Sequence, residues 1–258
     1  MRALKIAVLP VLFMLTACGG GNSGLPDVDQ TFAGATAAVP VSASVLNAAT
    51  ASVSSQTGTL DDAALTFAFA GLLGAINPDR TQIILTNGGQ VTLDPAGDGY
   101  ATRFSSAPQG GPATRGIIGI AATDVPIDGT ATYTGDTRIN AVVGTDLYDL
   151  TGNAEVAIDF AGGRVTTTLD ALSGTVLNPV TGSSAVLDAG TLTIADAMIS
   201  NSGFSGGVTT ATGAPLALSE DATTALNGQF FGPQANEAGG TFAIIDTEKI
   251  IYGDFLAD

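Results

Sequence analysis

The 258-residue sequence has no histidine, no tryptophan and a single cysteine, and it sets only eight lysines and arginines against 24 aspartates and glutamates. Each scarcity excludes something. Histidine is the commonest general base and the commonest metal ligand, so its absence removes Ser-His-Asp and Cys-His nucleophile systems and histidine-ligated metal or haem sites together. One cysteine cannot form a disulfide within the molecule. A formal net charge of −16 argues against nucleic acid as a partner and against electrostatic docking on anionic lipid. A basic partner or simple solubility in salt water would fit such a surface, and the acids are scattered along the chain, which is the solubilising pattern.

What is present is glycine, alanine, threonine and short valine and isoleucine runs: 34 glycines and 45% apolar residues with only 12% charged ones. Many short strands joined by tight turns suit that composition better than helices do. Disorder has the opposite signature, low hydrophobicity with high charge. The length is enough for one large or two small domains with a real core.

Met1-Arg2-Ala3-Leu4-Lys5 is a short positive segment, and Ile6 to Thr16 is an apolar run too short for a permanent transmembrane helix but suited to a signal h-region. The run ends in Leu15-Thr16-Ala17-Cys18, which resembles the lipobox of bacterial lipoproteins, and the chain's cysteine stands at the lipidated position. That resemblance implies cleavage of residues 1–17 and attachment of diacyl and amide-linked chains, palmitate among them, at Cys18. Two or more chains give the stable anchoring that one cannot. Gly19 follows the cysteine in place of the aspartate that resemblance to enterobacterial lipoproteins would associate with inner-membrane retention, so the expected location is the outer membrane, facing the periplasm or the cell surface. Residues 18–55, rich in Gly, Ala, Ser and Thr with almost no large side chain beyond Phe32, read as a flexible tether.

Residues 56–125 carry the signals of a small β-rich unit. Leu65-Thr66-Phe67-Ala68-Phe69 alternates at period two, against a competing helix capped at Asp61 and ended at Asn77-Pro78. Thr81 to Leu85 and Gln90 to Leu93 flank Asn87-Gly88-Gly89 as a hairpin, and Tyr100 to Phe104 and Ile117 to Ile120 supply further strands.

From residue 126 the pattern is regular. Thr130 to Thr134 is a strand closed by Gly135, and Asn153 to Phe160 sets Ala154, Val156, Ile158 and Phe160 against Glu155, Ala157 and Asp159. Arg164 to Leu172, Leu187 to Ile199, Phe204 to Thr210, Thr223 to Phe231, Gly240 to Ile245 and Lys249 to Leu256 complete eight strands at short spacing. Eight such antiparallel strands close into a barrel just filled by side chains, with a sandwich as the alternative.

Three stretches resemble one family. Pro126-Ile127-Asp128-Gly129-Thr130-Ala131-Thr132-Tyr133-Thr134-Gly135, the strand Gly152 to Phe160, and Gly228-Gln229-Phe230-Phe231-Gly232-Pro233 through Glu237, Gly239-Gly240 and Phe242 are similar to barrel segments of transferrin-binding-protein-B-like surface lipoproteins. The resemblance implies residues 126–258 as an eight-stranded antiparallel β-barrel preceded by a handle-like unit, in a single-lobe form. It implies a non-enzymatic binding lipoprotein that grips a protein or small ligand through exposed loops and assists iron or solute acquisition, with no cofactor. A structural or adhesive envelope lipoprotein on the same scaffold is the alternative. Tyr252-Gly253-Asp254-Phe255 departs from the Phe-Gly-x-Lys of relatives.

Within the Gly228–Phe242 stretch, Gly232-Pro233 suits a sharp exit from a strand, and Gly239-Gly240 a bend or bulge where a barrel closes. Phe230 and Phe242 are expected to plug the barrel, with Phe231 facing a neighbouring element or solvent and Glu237 making a salt link or backbone cap. Other chemistry reads as surface. Asp146, Asp149, Glu155 and Asp159 lie at wet positions without aromatic sugar platforms. Asp94-Pro95-Ala96-Gly97-Asp98-Gly99 lacks a third acid and a terminal glutamate for calcium. Gly206-Gly207 lacks the lysine and strand-to-helix step of a phosphate loop. No catalytic or metal-ligating residue is expected, and no individual ligand-contacting residue is singled out.

Overall fold

A computed structural model describes residues 31–39, 52–59, 66–69, 72–76, 81–85, 89–94, 99–106 and 113–258, and Cys18 lies outside them. Two antiparallel sheets make up the fold. The first holds eight strands: β1 (Thr31–Val39), β2 (Ser52–Thr59), β3 (Thr66–Phe69), β4 (Leu72–Ile76), β5 (Gln82–Leu85), β6 (Gln90–Leu93), β7 (Ala101–Ser106) and β8 (Ala113–Ile120). Their spatial order is β2-β1-β8-β7-β6-β5-β4-β3, so β3 to β8 form a meander and the β1–β2 hairpin is added beside β8.

Thr31–Val39 lies inside the span expected to be flexible, yet it pairs residue for residue with β8, Phe32 opposite Ile120 through Val39 opposite Ala113. A run of small residues can still join a sheet when a long partner edge satisfies its backbone groups. Thr66–Phe69 is a strand, as the period-two alternation predicts, while β4 carried no such signal. The Asn87-Gly88 turn lies outside the described residues.

The second sheet is the barrel: β9 (Thr130–Val143), β10 (Asp146–Asp159), β11 (Arg164–Asn178), β12 (Ser183–Ser200), β13 (Gly203–Ser205), β14 (Val208–Thr212), β15 (Thr223–Phe231), β16 (Glu237–Asp246) and β17 (Lys249–Ala257). β13 and β14 both pair with the same edge of β12 and are one strand interrupted at Gly206-Gly207. Eight strand positions therefore close on themselves, with β17 pairing back to β9 and β11 to β12. The sandwich alternative is excluded by that closure.

Burial follows the period of two. On β10, Ala154, Val156 and Ile158 point into the barrel while Glu155 and Asp159 face water. Phe204 stacks against Phe230 with ring centroids 5.1 Å apart, and Phe160 and Phe255 extend the cluster at 5.9 and 6.4 Å. Phe230 and Phe242 plug the barrel interior, as their alternation predicts.

Two glycine expectations need revision. β9 does not end at Gly135 but runs on to Val143, and β16 pairs without a register shift through Gly239 and Gly240. A Cβ at Gly240 would stand 2.6 Å from the Asn227 carbonyl oxygen and 2.9 Å from the Phe255 ring. Its role is close approach and not a bulge. The irregularities fall instead between β10, β11 and β12, around Ala171 and Asp196, which have positive φ.

Candidate functional site

Among the described residues, two regions carry features beyond a packed core: the junction between the first sheet, here called the handle, and the barrel, and the barrel end formed by the β9–β10 and β11–β12 turns. The junction begins with the backbone. Past β8, Ala122 N–H donates to the Phe230 carbonyl and Gly232 N–H to the Ile120 carbonyl, each at 3.0 Å, so β8 and β15 share hydrogen bonds where the two sheets meet. Phe231, fully buried, turns away from the barrel core and packs with Ala101 and Ile117 of the handle. Gly232 leaves the strand at φ 72, a left-handed conformation that favours glycine, and the Tyr100 ring covers it.

Beside this apolar contact lies a charged one. Asp254, on the outer face of β17 and 2% exposed, accepts from Arg103 Nε at 2.7 Å and Arg115 Nε at 2.6 Å, both arginines coming from the handle. Arg103 also pairs with Asp136, and Arg115 with Asn140, on β9. Arg138 of β9 reaches back to Asp94 of the handle at 2.5 Å. The chain has few cations, and three of its arginines are committed to this one seam. A carboxylate buried between two guanidinium groups has its charge compensated and each oxygen hydrogen-bonded, which is the condition for such a group to be tolerated.

Glu237 completes the seam. It is 6% exposed and accepts from the Tyr100 and Ala101 N–H groups at 2.6 and 2.9 Å, so the backbone cap is the role it plays. Burial pushes its carboxyl above the usual range, the two N–H bonds oppose that, and Asp258 nearby adds to it. A cleft of about 220 Å³ opens here, lined by Arg103, Asp136, Glu237 and Asp258 among others. Its charged groups are largely engaged with the handle–barrel contacts, so the cleft acts chemically as part of the seam.

The other region is open. Asn178 caps the β11–β12 turn, its Oδ1 accepting from Val180 and Thr181 N–H at 3.0 Å and its Nδ2 reaching Asp146 at 2.6 Å. That ordered turn leaves Val180 78% exposed, Val186 82% and Leu177 43%. Between this end and the core, Leu216 plugs the barrel, and the loop carrying it is tied to β16 by Ser219, whose N–H and Oγ–H bond the Asp246 carboxylate at 3.0 and 2.5 Å. The Ser219 hydroxyl chiefly, with the Ser219 and Thr247 N–H groups, holds the Asp246 carboxyl below the usual range.

The acids singled out from the sequence are dispersed. Asp149, Glu155 and Asp159 are exposed, with Asp149 accepting from Asn140 and Asp159 capping Gly162 N–H at 2.8 Å. Part of the Asp94–Gly99 stretch lies outside the described residues, and Asp94 serves in the ion pair with Arg138. Sequence reasoning missed Arg103, Arg115 and Asp254. The one available signal was the rarity of arginine in a chain so acidic.

The comparisons with known proteins agree with this architecture. Residues 125–258, just over half of the chain, match the model for the C-lobe and N-lobe β-barrels of Tf-binding protein B. The chain belongs to that family, which is one of binding proteins and not of enzymes. Among solved structures, transferrin binding protein B from Haemophilus parasuis Hp5 superposes with a TM-score of 0.56 at 16% identity, over 89% of this chain and 44% of that one. The isotype 1 protein from serogroup B Neisseria meningitidis gives 0.51 at 18% identity, over 90% and 43%. Intact Ap-TbpB gives 0.52 at 17%, over 87% and 45%. These likenesses establish the fold, handle and barrel together, and the chain spans less than half the length of those proteins. No curated protein sequence matches it.

Proposed function

We propose that this protein is a lipid-anchored binding lobe of the outer membrane, held through Cys18, that captures a protein or small ligand and assists acquisition of iron or another solute. The observation that carries the reading is the family match across the whole barrel. Cys18 in its lipobox context supports the anchor, and the leader before it supports export. The solved relatives are named for transferrin, but this chain has the length of one lobe, so the ligand is proposed by class and not by name. Loops on a rigid scaffold carry recognition, and the seam of Asp254, Arg103, Arg115 and Glu237 makes handle and barrel such a scaffold.

Two experiments test this. Cys18→Ser should shift the protein out of the membrane fraction and block leader processing; unchanged fractionation would sink the anchor. The full chain, purified in detergent and immobilised, should retain a ligand from pools of host proteins and small solutes. An empty result across both pools would remove the binding reading and leave a structural envelope role.

A further inference from the structure

The barrel is not paired along its whole length. β12 runs from Ser183 to Ser200, but its pairing with β14 starts only at Thr191, opposite Thr212. Gly213 abuts Ala189 and Gly190, which closes the edge to that point. Among the described residues, the strand from Ser183 to Asp188 pairs with β11 alone, Ser183 opposite Asn178 through Asp188 opposite Ser173. Six residues of strand therefore present one unpaired edge roughly 20 Å long, with alternate N–H and C=O groups directed outward.

Folded proteins commonly blunt such an edge with lysine, proline or a bulge. Ser183-Ser184-Ala185-Val186-Leu187-Asp188 contains neither lysine nor proline, and its pairing with Ser173 to Asn178 is regular, with a register shift only past its Asp188 end, between Leu172 and Ser173. The surface beside it is apolar: Val186 lies on the strand itself, Leu177 pairs opposite Ser184, and Val180 stands on the capped turn. Leu187 and Ala189 face the other way and pack with the barrel core, which holds the edge in place. An ordered, unprotected strand edge with exposed apolar side chains on one face has the form of a site for strand addition, in which main-chain bonds supply affinity and alternate side chains specificity.

Charge selects the occupant. A second copy of the chain would bring another −16 against this end of the molecule, where Asp188 and Asp146 already stand. We propose that the free edge of β12, Ser183 to Asp188, takes an extended segment of a cationic partner protein, with apolar residues over Val186 and Leu177 and a lysine or arginine toward Asp188. This rests on the binding function proposed above and names the surface and the partner's chemistry.

The test uses the full chain in detergent and a fluorescein-labelled ten-residue peptide alternating valine with lysine and threonine. Anisotropy reads binding, and hydrogen exchange reads where it occurs. The expected result is saturable binding with exchange slowed at least ten-fold across Ser183–Asp188. The same peptide N-methylated at alternate residues, or the Val186→Lys chain, should bind at least ten-fold more weakly. Ser184→Lys, also at an exposed position, is the second variant and should weaken binding in the same direction. No saturable binding, protection elsewhere, or equal binding by the N-methylated peptide or by both lysine variants would overturn the proposal. So would protection of Ser183–Asp188 without peptide together with a doubled mass, which would assign the edge to a second copy. A ligand retained equally by the chain and by its Val186→Lys variant would overturn this site while leaving the binding function intact. An empty ligand screen alongside edge-specific peptide binding would do the reverse.

Discussion

Single residues at the seam carry the strongest predictions. Asp254 is buried between Arg103 and Arg115, so Asp254→Ala leaves two guanidinium groups facing one another in a poorly hydrated seam. Removing one member of a buried charge cluster costs about 3–5 kcal/mol, and denaturant unfolding of the variant should show a loss of that size. A loss below about 1 kcal/mol would mean that the seam is hydrated and the pairs behave as surface ones. Glu237 and Asp246 make opposite pH predictions. The folded-state pKa of Glu237 is raised, so its contribution is fully present below the unfolded value near 4.5 and is lost as pH rises through the folded value. The folded-state pKa of Asp246 is lowered, so its contribution is present above the unfolded value near 3.8 and is lost as pH falls through the folded one. Above the unfolded value near 4.5, stability from Glu237 grows on acidification, while that from Asp246 is kept until the pH falls toward 3.8. Comparing the melting temperatures of wild type and Glu237→Gln across that window should give a gap that widens in favour of the wild type as pH falls; a constant gap contradicts the assignment.

At the scale of elements, the barrel strands are held by alternation and by one aromatic cluster. Phe230→Ala removes the ring that Phe160 and Phe204 pack on, and core truncations of this kind cost about 3–5 kcal/mol. Thr167→Val points the other way. The Thr167 hydroxyl is fully buried in the barrel with no hydrogen-bond partner among the described residues, so an isosteric methyl should leave stability unchanged or raise it by about 1 kcal/mol in urea unfolding. The same local rule made these strands legible in sequence: Ala154, Val156, Ile158 and Phe160 declare their face without reference to any other part of the chain. What could not be read depends on partners far away. Thr31–Val39 is a strand because β8 offers it an edge some eighty residues later, and nothing in its own alanines and glycine says so. Gly135 reads as a strand end, yet it stands where Ala257 of β17 comes within 2.7 Å of any added Cβ, a fact of barrel closure. The Asp254 cluster joins residues more than 130 positions apart, so its geometry was beyond any local pattern. The opening toward Val186 was hidden likewise, because it exists only where β14 stops short of β12.

The whole molecule is governed by its charge. A net of −16 acts against the compact state through self-repulsion among exposed carboxylates. Three of the arginines that could offset it are committed to the handle–barrel seam, where Arg103 and Arg115 are largely withdrawn from solvent. The two electrostatic contributions therefore oppose each other and differ in range. Mobile ions screen the exposed acids over about 10 Å at 0.1 M salt and about 3 Å at 1 M, but reach a buried pair far less. Raising sodium chloride from about 0.05 to about 0.5 M should relieve the repulsion without weakening the seam, and so raise the melting temperature; each kcal/mol relieved corresponds to about 2–4 °C in a protein of this size. Asp254→Ala should melt lower at every salt concentration but with nearly the same upward slope, because the variant disturbs the buried cluster and leaves the surface acids in place. A melting temperature that falls with salt would show that exposed ion pairs such as Arg164–Asp196 outweigh the repulsion. A slope that collapses in Asp254→Ala would show that the seam, and not the surface, sets the response.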